Sequence, residues 1–137
     1  MVGVVVITHG HLAVEMLATV RFVIGGEPAL QVETISMLPD SEFEEFSKEI
    51  EQAIDRVDVG DGVLLLTDMF GGTPSNVGLT FLDADKVEVI SGVNLPMLLK
   101  LASVPKPVSL AEAVEIALRA GKDNIIIASG LIKKRGS

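Results

Sequence analysis

The chain has 137 residues, no cysteine and a formal net charge of −8. This length points to one domain able to bury roughly 68–70% of its unfolded surface, and the lack of cysteine excludes a disulfide framework, a thiolate metal site and a cysteine nucleophile. Three of the eleven basic residues lie within 133–137, so residues 1–132 hold 8 basic against 19 acidic side chains and no Trp or Tyr, a body set against nucleic acid and anionic membrane and suited to a basic protein partner.

Val4 to Ile7 is an apolar run that breaks into Thr8, His9, Gly10 and His11 before an amphipathic pattern begins at Leu12. That is the outline of a buried strand, a tight polar turn and a helix. The opening MVGVVVITHG has no basic n-region, so it reads as a strand and not a signal peptide. No apolar stretch approaches the ~20 residues of a membrane helix, and a cytoplasmic location is expected. Leu12, Ala13, Met16, Leu17, Val20, Val23 and Ile24 recur at helical spacing. Gly25–Gly26 end that helix by admitting left-handed backbone. Leu30 to Met37 partly alternates, as a second strand does. Pro39–Asp40–Ser41 leads into a second helix, where Ser41 and Glu44 have capping-box spacing. Phe43, Phe46, Ile50, Ala53 and Ile54 mark its buried face, and Glu42, Glu45, Glu49 and Glu51 its solvated face.

Val63 to Leu66 is a continuous apolar run, as in a central parallel strand covered on both sides. It exits through Thr67 to Asn76, where Thr73 and Pro74 read as N-cap and first residue of a third helix. Val87 to Ile90 is a fourth strand, left through Gly92–Val93–Asn94, with Asn94 capping the next helix. Ser109 and Glu112 form a second capping box, for a helix that Gly121 is expected to stop. Ile125 to Ala128 reads as a short final strand, and Lys133 to Arg135 as part of a solvated tail. Alternating strands and helices predict a three-layer α/β sandwich with a mainly parallel sheet. Residues 1–130 form the expected domain and 131–137 a short basic tail.

Three strand-to-helix turns, Thr8–His11, Thr67–Asn76 and Ser91–Pro96, hold nearly all the unusual residues. In a parallel sheet such turns open on one edge, so His9, Asp68, Thr73 and Asn94 are expected to converge. The chain's two histidines both lie in the first turn, and a neutral imidazole is a good nucleophile near neutral pH. An Asp68 carboxylate bonded to one ring nitrogen of His9 fixes the tautomer and leaves the other lone pair facing the cleft. Gly10, Gly71 and Gly72 permit close backbone approach. Helix-start N–H groups and the Thr73 hydroxyl can hold the oxygens of a tetrahedral anion. Together these suit a phosphoryl group on histidine. No GxxxxGK[ST] or GxGxxG fingerprint occurs, and no cofactor is expected. His9, His11 and Asp68 are chemically able to bind zinc, but glycine-rich turns favour an anion, and no metal is expected. Phe70, beside Gly71, is expected to be exposed. With His11 and Asn94 it is a candidate partner contact, although Asn94 reads first as a cap. Phe43, Phe46, Phe81 and the methionines are expected in the core.

The chain resembles the IIA domain of the mannose-family sugar phosphotransferase system (PTS). The resemblance rests on Thr8–His9–Gly10 after the first strand, Asp68 with Gly71–Gly72–Thr73–Pro74 after the third, and Gly92–Val93–Asn94–Leu95–Pro96–Met97–Leu98 after the fourth. Their order, spacing and strand context agree from about Val2 to Ile127. It implies a doubly wound sheet and a IIA domain of this family over residues 1–130. It implies that His9 takes a phosphoryl group from the histidine phosphocarrier protein HPr and passes it to a IIB component, with Asp68 paired to that histidine. Thr73 stands where the family often has serine, which keeps the hydroxyl. A homodimer exchanging the last strand, Asn124–Ala128, is implied too, and membrane IIC and IID components are met only indirectly. Because the sequence stops soon after that strand, the IIB acceptor is expected to be a separate protein. The alternatives are the phosphotransfer subunit of a dihydroxyacetone kinase, a regulatory phosphohistidine module and, more distantly, a metal-dependent hydrolase.

Overall fold

The computed structural model describes residues 1–136. Its elements are β1 (Gly3–His9), α1 (Leu12–Ile24), β2 (Val32–Met37), α2 (Phe43–Val57), β3 (Val63–Thr67), α3 (Thr73–Leu79), β4 (Val87–Ser91), α4 (Leu95–Ala102), α5 (Leu110–Asp123) and α6 (Ala128–Gly136). The sheet order is β2-β1-β3-β4, and all three pairings are parallel.

Successive side chains of a strand point to opposite faces, and here both faces are apolar. Val4 and Val6 of β1 with Leu64 and Leu66 of β3 pack under α1, α4 and α5. Val5 and Ile7 with Val63 and Leu65 pack under α2 and α3. The unbroken apolar runs of β1 and β3 follow from this double coverage. The result is the predicted doubly wound α/β sandwich.

Several local readings are corrected. Ser41 and Glu44 form no capping box: Glu42 is the N-cap of α2 and makes no side-chain cap bond. The Ser41 hydroxyl instead accepts from the Leu38 N–H at 2.9 Å, while the Ser41 N–H donates to the Leu38 carbonyl at 3.0 Å. A serine two residues before the helix closes its own turn and cannot also reach the helix. The Ser109–Glu112 capping box is formed. Gly121 does not stop α5, which runs on to Asp123. A Cβ at Gly121 would lie 2.8 Å from Met97 Cε, so this glycine lets α4 and α5 approach closely. Phe43 and Met69 are 63% and 54% exposed, outside the core assigned to them. Each lies on a solvent side at or before a helix start. Phe46 is buried, and Phe81 packs against the core from its edge.

The predicted final strand is absent. Residues 125–127 are irregular and α6 begins at Ala128. Ile125, Ile126 and Ile127 are all exposed. A strand acquires its hydrogen bonds only from a neighbour, and the segment pairs with no strand of its own chain. The backbone of the expected basic tail up to Gly136 belongs to α6. The solvation read for Lys133 to Arg135 concerns side chains outside the described ones.

Candidate active site

From β1 the chain crosses to β2 on one side, and from β3 to β4 on the other. The reversal falls between β1 and β3, and in open α/β sheets ligands bind at such a point, beyond the carboxyl ends of the strands. His9 is the last residue of β1, and Asp68 follows the last residue of β3. The register aligns Ile7 with Thr67, so β1 projects past β3 far enough for the two side chains to meet.

They meet through one carboxylate oxygen. Asp68 Oδ2 lies 2.8 Å from His9 Nδ1 and accepts the His9 backbone N–H at 3.0 Å. Asp68 Oδ1 accepts the Met69 N–H at 3.0 Å. The Asp68 side chain is 12% exposed and that of His9 47%. Partial burial alone would raise the carboxyl pKa, but the hydrogen bonds from the His9 ring and backbone, its charge, and an N–H of the aspartate's own turn outweigh it. Asp68 therefore sits below the usual carboxylate value and is ionised at neutral pH. An ionised carboxylate only accepts, so Nδ1 carries a proton, and in the neutral ring the lone pair is on Nε2.

Gly72 lies against the other side of the ring. A Cβ there would fall 2.8 Å from His9 Cε1 and 3.3 Å from Nε2. Gly10 and Gly71 have φ of +57° and +91°, with open space where a Cβ would be, so their need for glycine is conformational. Thr73 is the first helical residue of α3 and Gly72 the N-cap, one position from the reading that made Thr73 the cap. The difference follows from the extended backbone of Gly72, with φ −88° and ψ 170°.

His11 is the N-cap residue of α1 and is exposed, without a side-chain cap bond. Its capping work is done by Thr8, fully buried, whose hydroxyl accepts the Ala13 N–H at 2.9 Å. Phe70 is 75% exposed. Asn94 is engaged internally at both ends of its amide: Oδ1 accepts the Met97 N–H at 3.1 Å and Nδ2 donates to the Gly121 carbonyl at 2.9 Å. Its polar atoms join α4 to α5, in keeping with its first reading as a cap. Among the described residues no three His, Asp or Glu side chains form a group that could hold a metal ion.

Sequence reasoning missed a polar cluster beneath the site. Thr67 and Ser75 are fully buried. Thr67 Oγ1 donates to Ser91 Oγ at 2.9 Å, and the Ser75 and Ser91 hydroxyl oxygens are 3.2 Å apart. Their spacing in sequence carries no signal. Only the polar ends of β3 and β4 could have hinted at it.

Residues 3–118 match the family model EIIA-man, described as the PTS system fructose IIA component. The chain is 30% identical over 126 residues to the PTS system mannose-specific EIIAB component of Escherichia coli (strain K12), an alignment covering 90% of this chain and 38% of that protein. The chain thus spans well under half the length of that relative. It is 26% identical over 113 residues to the PTS system fructose-specific EIIA component of Bacillus subtilis (strain 168), covering 82% of this chain and 76% of that one. Among solved structures, a phosphotransferase system component EIIA from Streptococcus agalactiae superposes with a TM-score of 0.82 at 22% identity, over 95% of this chain and 99% of that one. The PTS IIA protein associated with the fucose utilization operon of Streptococcus pneumoniae gives 0.80 at 28% identity, over 95% of each. No described helix is long and apolar enough to cross a membrane.

Proposed function

Because this chain belongs to the EIIA-man family of sugar phosphotransferase system IIA components, we propose that it is a cytoplasmic phosphocarrier that takes a phosphoryl group from phospho-HPr on His9 and passes it to a IIB component. One observation carries the assignment of the nucleophile. His9 Nδ1 is tied to an ionised carboxylate while the ring stays half exposed, which leaves Nε2 as the reactive nitrogen.

In the transfer, the Nε2 lone pair forms a bond to phosphorus as the phosphorus–nitrogen bond of the donor breaks, and the electron pair of that bond returns to the donor imidazole. The His9 ring becomes cationic, and the Asp68 carboxylate at Nδ1–H stabilises that charge. Gly10, Gly71 and Gly72 leave room for the phosphoryl oxygens, which the Thr73 hydroxyl and nearby backbone N–H groups bind. Passage to IIB reverses the step. Both reactant and product are phosphohistidines, so no nucleotide or cofactor is required. Phe70 and His11, exposed in the turns that carry Asp68 and His9, contact the protein partners, and IIC and IID are served only through IIB.

The same reading makes the protein a homodimer. The outer edge of β4 pairs with no described strand, and Ile125–Ile127 is an exposed apolar run. Laid along the partner's β4, it would gain a ladder and cover that edge.

Intact-mass analysis after incubation with phosphoenolpyruvate, enzyme I and HPr tests the assignment. One acid-labile phosphoryl group is expected on the wild type and on His11→Ala, and none on His9→Ala. Loss in His11→Ala alone would move the site to His11. A wild type that takes no phosphoryl group from a verified donor would end the carrier reading.

A further inference from the structure

The loop that carries Asp68, Gly71 and Gly72 is tied at its base by one hydroxyl. Thr67, which precedes the loop, donates to Ser91 Oγ at 2.9 Å. Ser75, three residues beyond Gly72, lies 3.2 Å from the same oxygen. Thr67 and Ser91 are register partners on β3 and β4. The Thr67 carbonyl also accepts the Gly92 and Val93 N–H groups at 2.9 and 3.0 Å. Thr67 and Ser75 are fully buried, and the described residues contain no buried side-chain N or O without a partner. Ser91 itself is partly buried, and a hydrogen-bonded cluster of this kind is directional where apolar packing is not, so it constrains geometry accordingly.

Two constraints on His9 hang from this knot. Next to Thr67, Asp68 holds Nδ1; ahead of Ser75, the Gly72 backbone lies against Cε1 and Nε2. The ring thus meets both ends of one loop, and those ends are bonded to one oxygen, Ser91 Oγ. We propose that Ser91 is a positioning residue for phosphoryl transfer: its hydroxyl, bonded to Thr67 and Ser75, holds the Asp68 and Gly72 ends of the loop at the spacing that keeps His9 Nδ1 bonded and Nε2 aimed outward. This rests on the reading of His9 as the phosphoryl carrier.

The test compares wild type, Ser91→Ala and Ser91→Thr by two readouts: kcat and KM for phosphoryl transfer from phospho-HPr, and the 15N shifts of the His9 ring in the unphosphorylated protein. Loss of alignment costs rate steeply, so kcat of Ser91→Ala is expected to fall roughly ten- to a hundred-fold with KM unchanged. Its ring nitrogens are expected to move from the single Nδ1–H tautomer toward a mixture, and Ser91→Thr to restore both readouts. A Ser91→Ala protein that is only less stable, with wild-type ring shifts and kcat, would overturn the proposal. Should Ser91→Ala not fold, Thr67→Val, which keeps the shape and removes one bond of the knot, is read by the same criteria. If the wild type accepts no phosphoryl group, the carrier reading fails, and the ring shifts alone still decide whether Ser91 positions His9.

Discussion

The imidazole of His9 occupies the space that a side chain on Gly72 would need. A Cβ there would approach Cε1 to 2.8 Å, a contact that cannot stand without moving the ring. The backbone of Gly72 is ordinary, with φ −88°, so alanine is tolerated by the chain itself. Gly72→Ala is therefore expected to fold with little loss of stability and to transfer phosphoryl groups roughly ten- to a hundred-fold more slowly. Gly71→Ala should do the reverse. Its φ of +91° meets open space, so the strain falls on the backbone and costs about 1–2 kcal/mol of stability. Urea unfolding beside single-turnover phosphorylation of the two variants separates the effects.

Asp68→Asn keeps an acceptor within reach of His9 Nδ1 and removes the negative charge. In the proposed transfer the charge acts on the cationic ring that forms, so the rate is expected to drop roughly a hundred-fold or more, with binding of HPr expected to be retained. Rapid-quench phosphorylation checks this. A rate within a factor of about two of wild type would mean that the carboxylate serves orientation alone.

The depressed pKa of Asp68 has a thermodynamic counterpart. An unfolded aspartate titrates near 3.9, and the folded one lies lower. Its stabilisation is thus complete above about pH 4 and is lost as pH falls through the folded value. The wild-type urea midpoint is expected to fall more steeply than that of Asp68→Asn as the pH drops below about 4. Parallel curves would show that the aspartate gains nothing from its partners.

Asn94→Ala removes a helix cap and strands the Gly121 carbonyl. A loss of about 1–2 kcal/mol is expected, with kcat for phosphoryl transfer unchanged at temperatures where the protein is folded. A selective rise in KM would place Asn94 on the partner surface.

Phe70→Ala changes a side chain that is 75% exposed. Stability should stay within about 0.5 kcal/mol of wild type. If the ring docks a protein partner, KM for phospho-HPr or for the IIB acceptor rises while the His9 ring shifts stay put.

Much of this was legible in the sequence because periodicity reports burial. The apolar runs of β1 and β3 announced a sheet covered on both sides, and the break at Thr8–His9–Gly10 announced the turn. Topology put the turns of His9 and Asp68 on one edge, since turns after parallel strands share it, and the chemistry of imidazole beside carboxylate together with the family resemblance suggested their pairing. What stayed hidden depended on who neighbours whom. Gly121 looks like a helix stop until Met97 is seen against it. Ile125–Ile127 looks like a strand whether or not an edge is available. Ser41 has capping-box spacing, yet its hydroxyl is already engaged by Leu38. Thr67, Ser75 and Ser91 lie too far apart in sequence to read as one cluster.

The central position of β1 has a consequence for how the site endures repeated encounters. Val4 to Thr8 are fully buried between β2 and β3, and His9 is the next residue of that strand. Local openings of a protein start at edges and loops, and its central strands release their amides only near global unfolding. His9, the proposed nucleophile, is thus mounted on a strand expected to exchange among the slowest, beside glycine turns expected to open more readily. Partners can come and go many times without the mount melting, and amide exchange at Val4–Thr8 should track the full unfolding free energy.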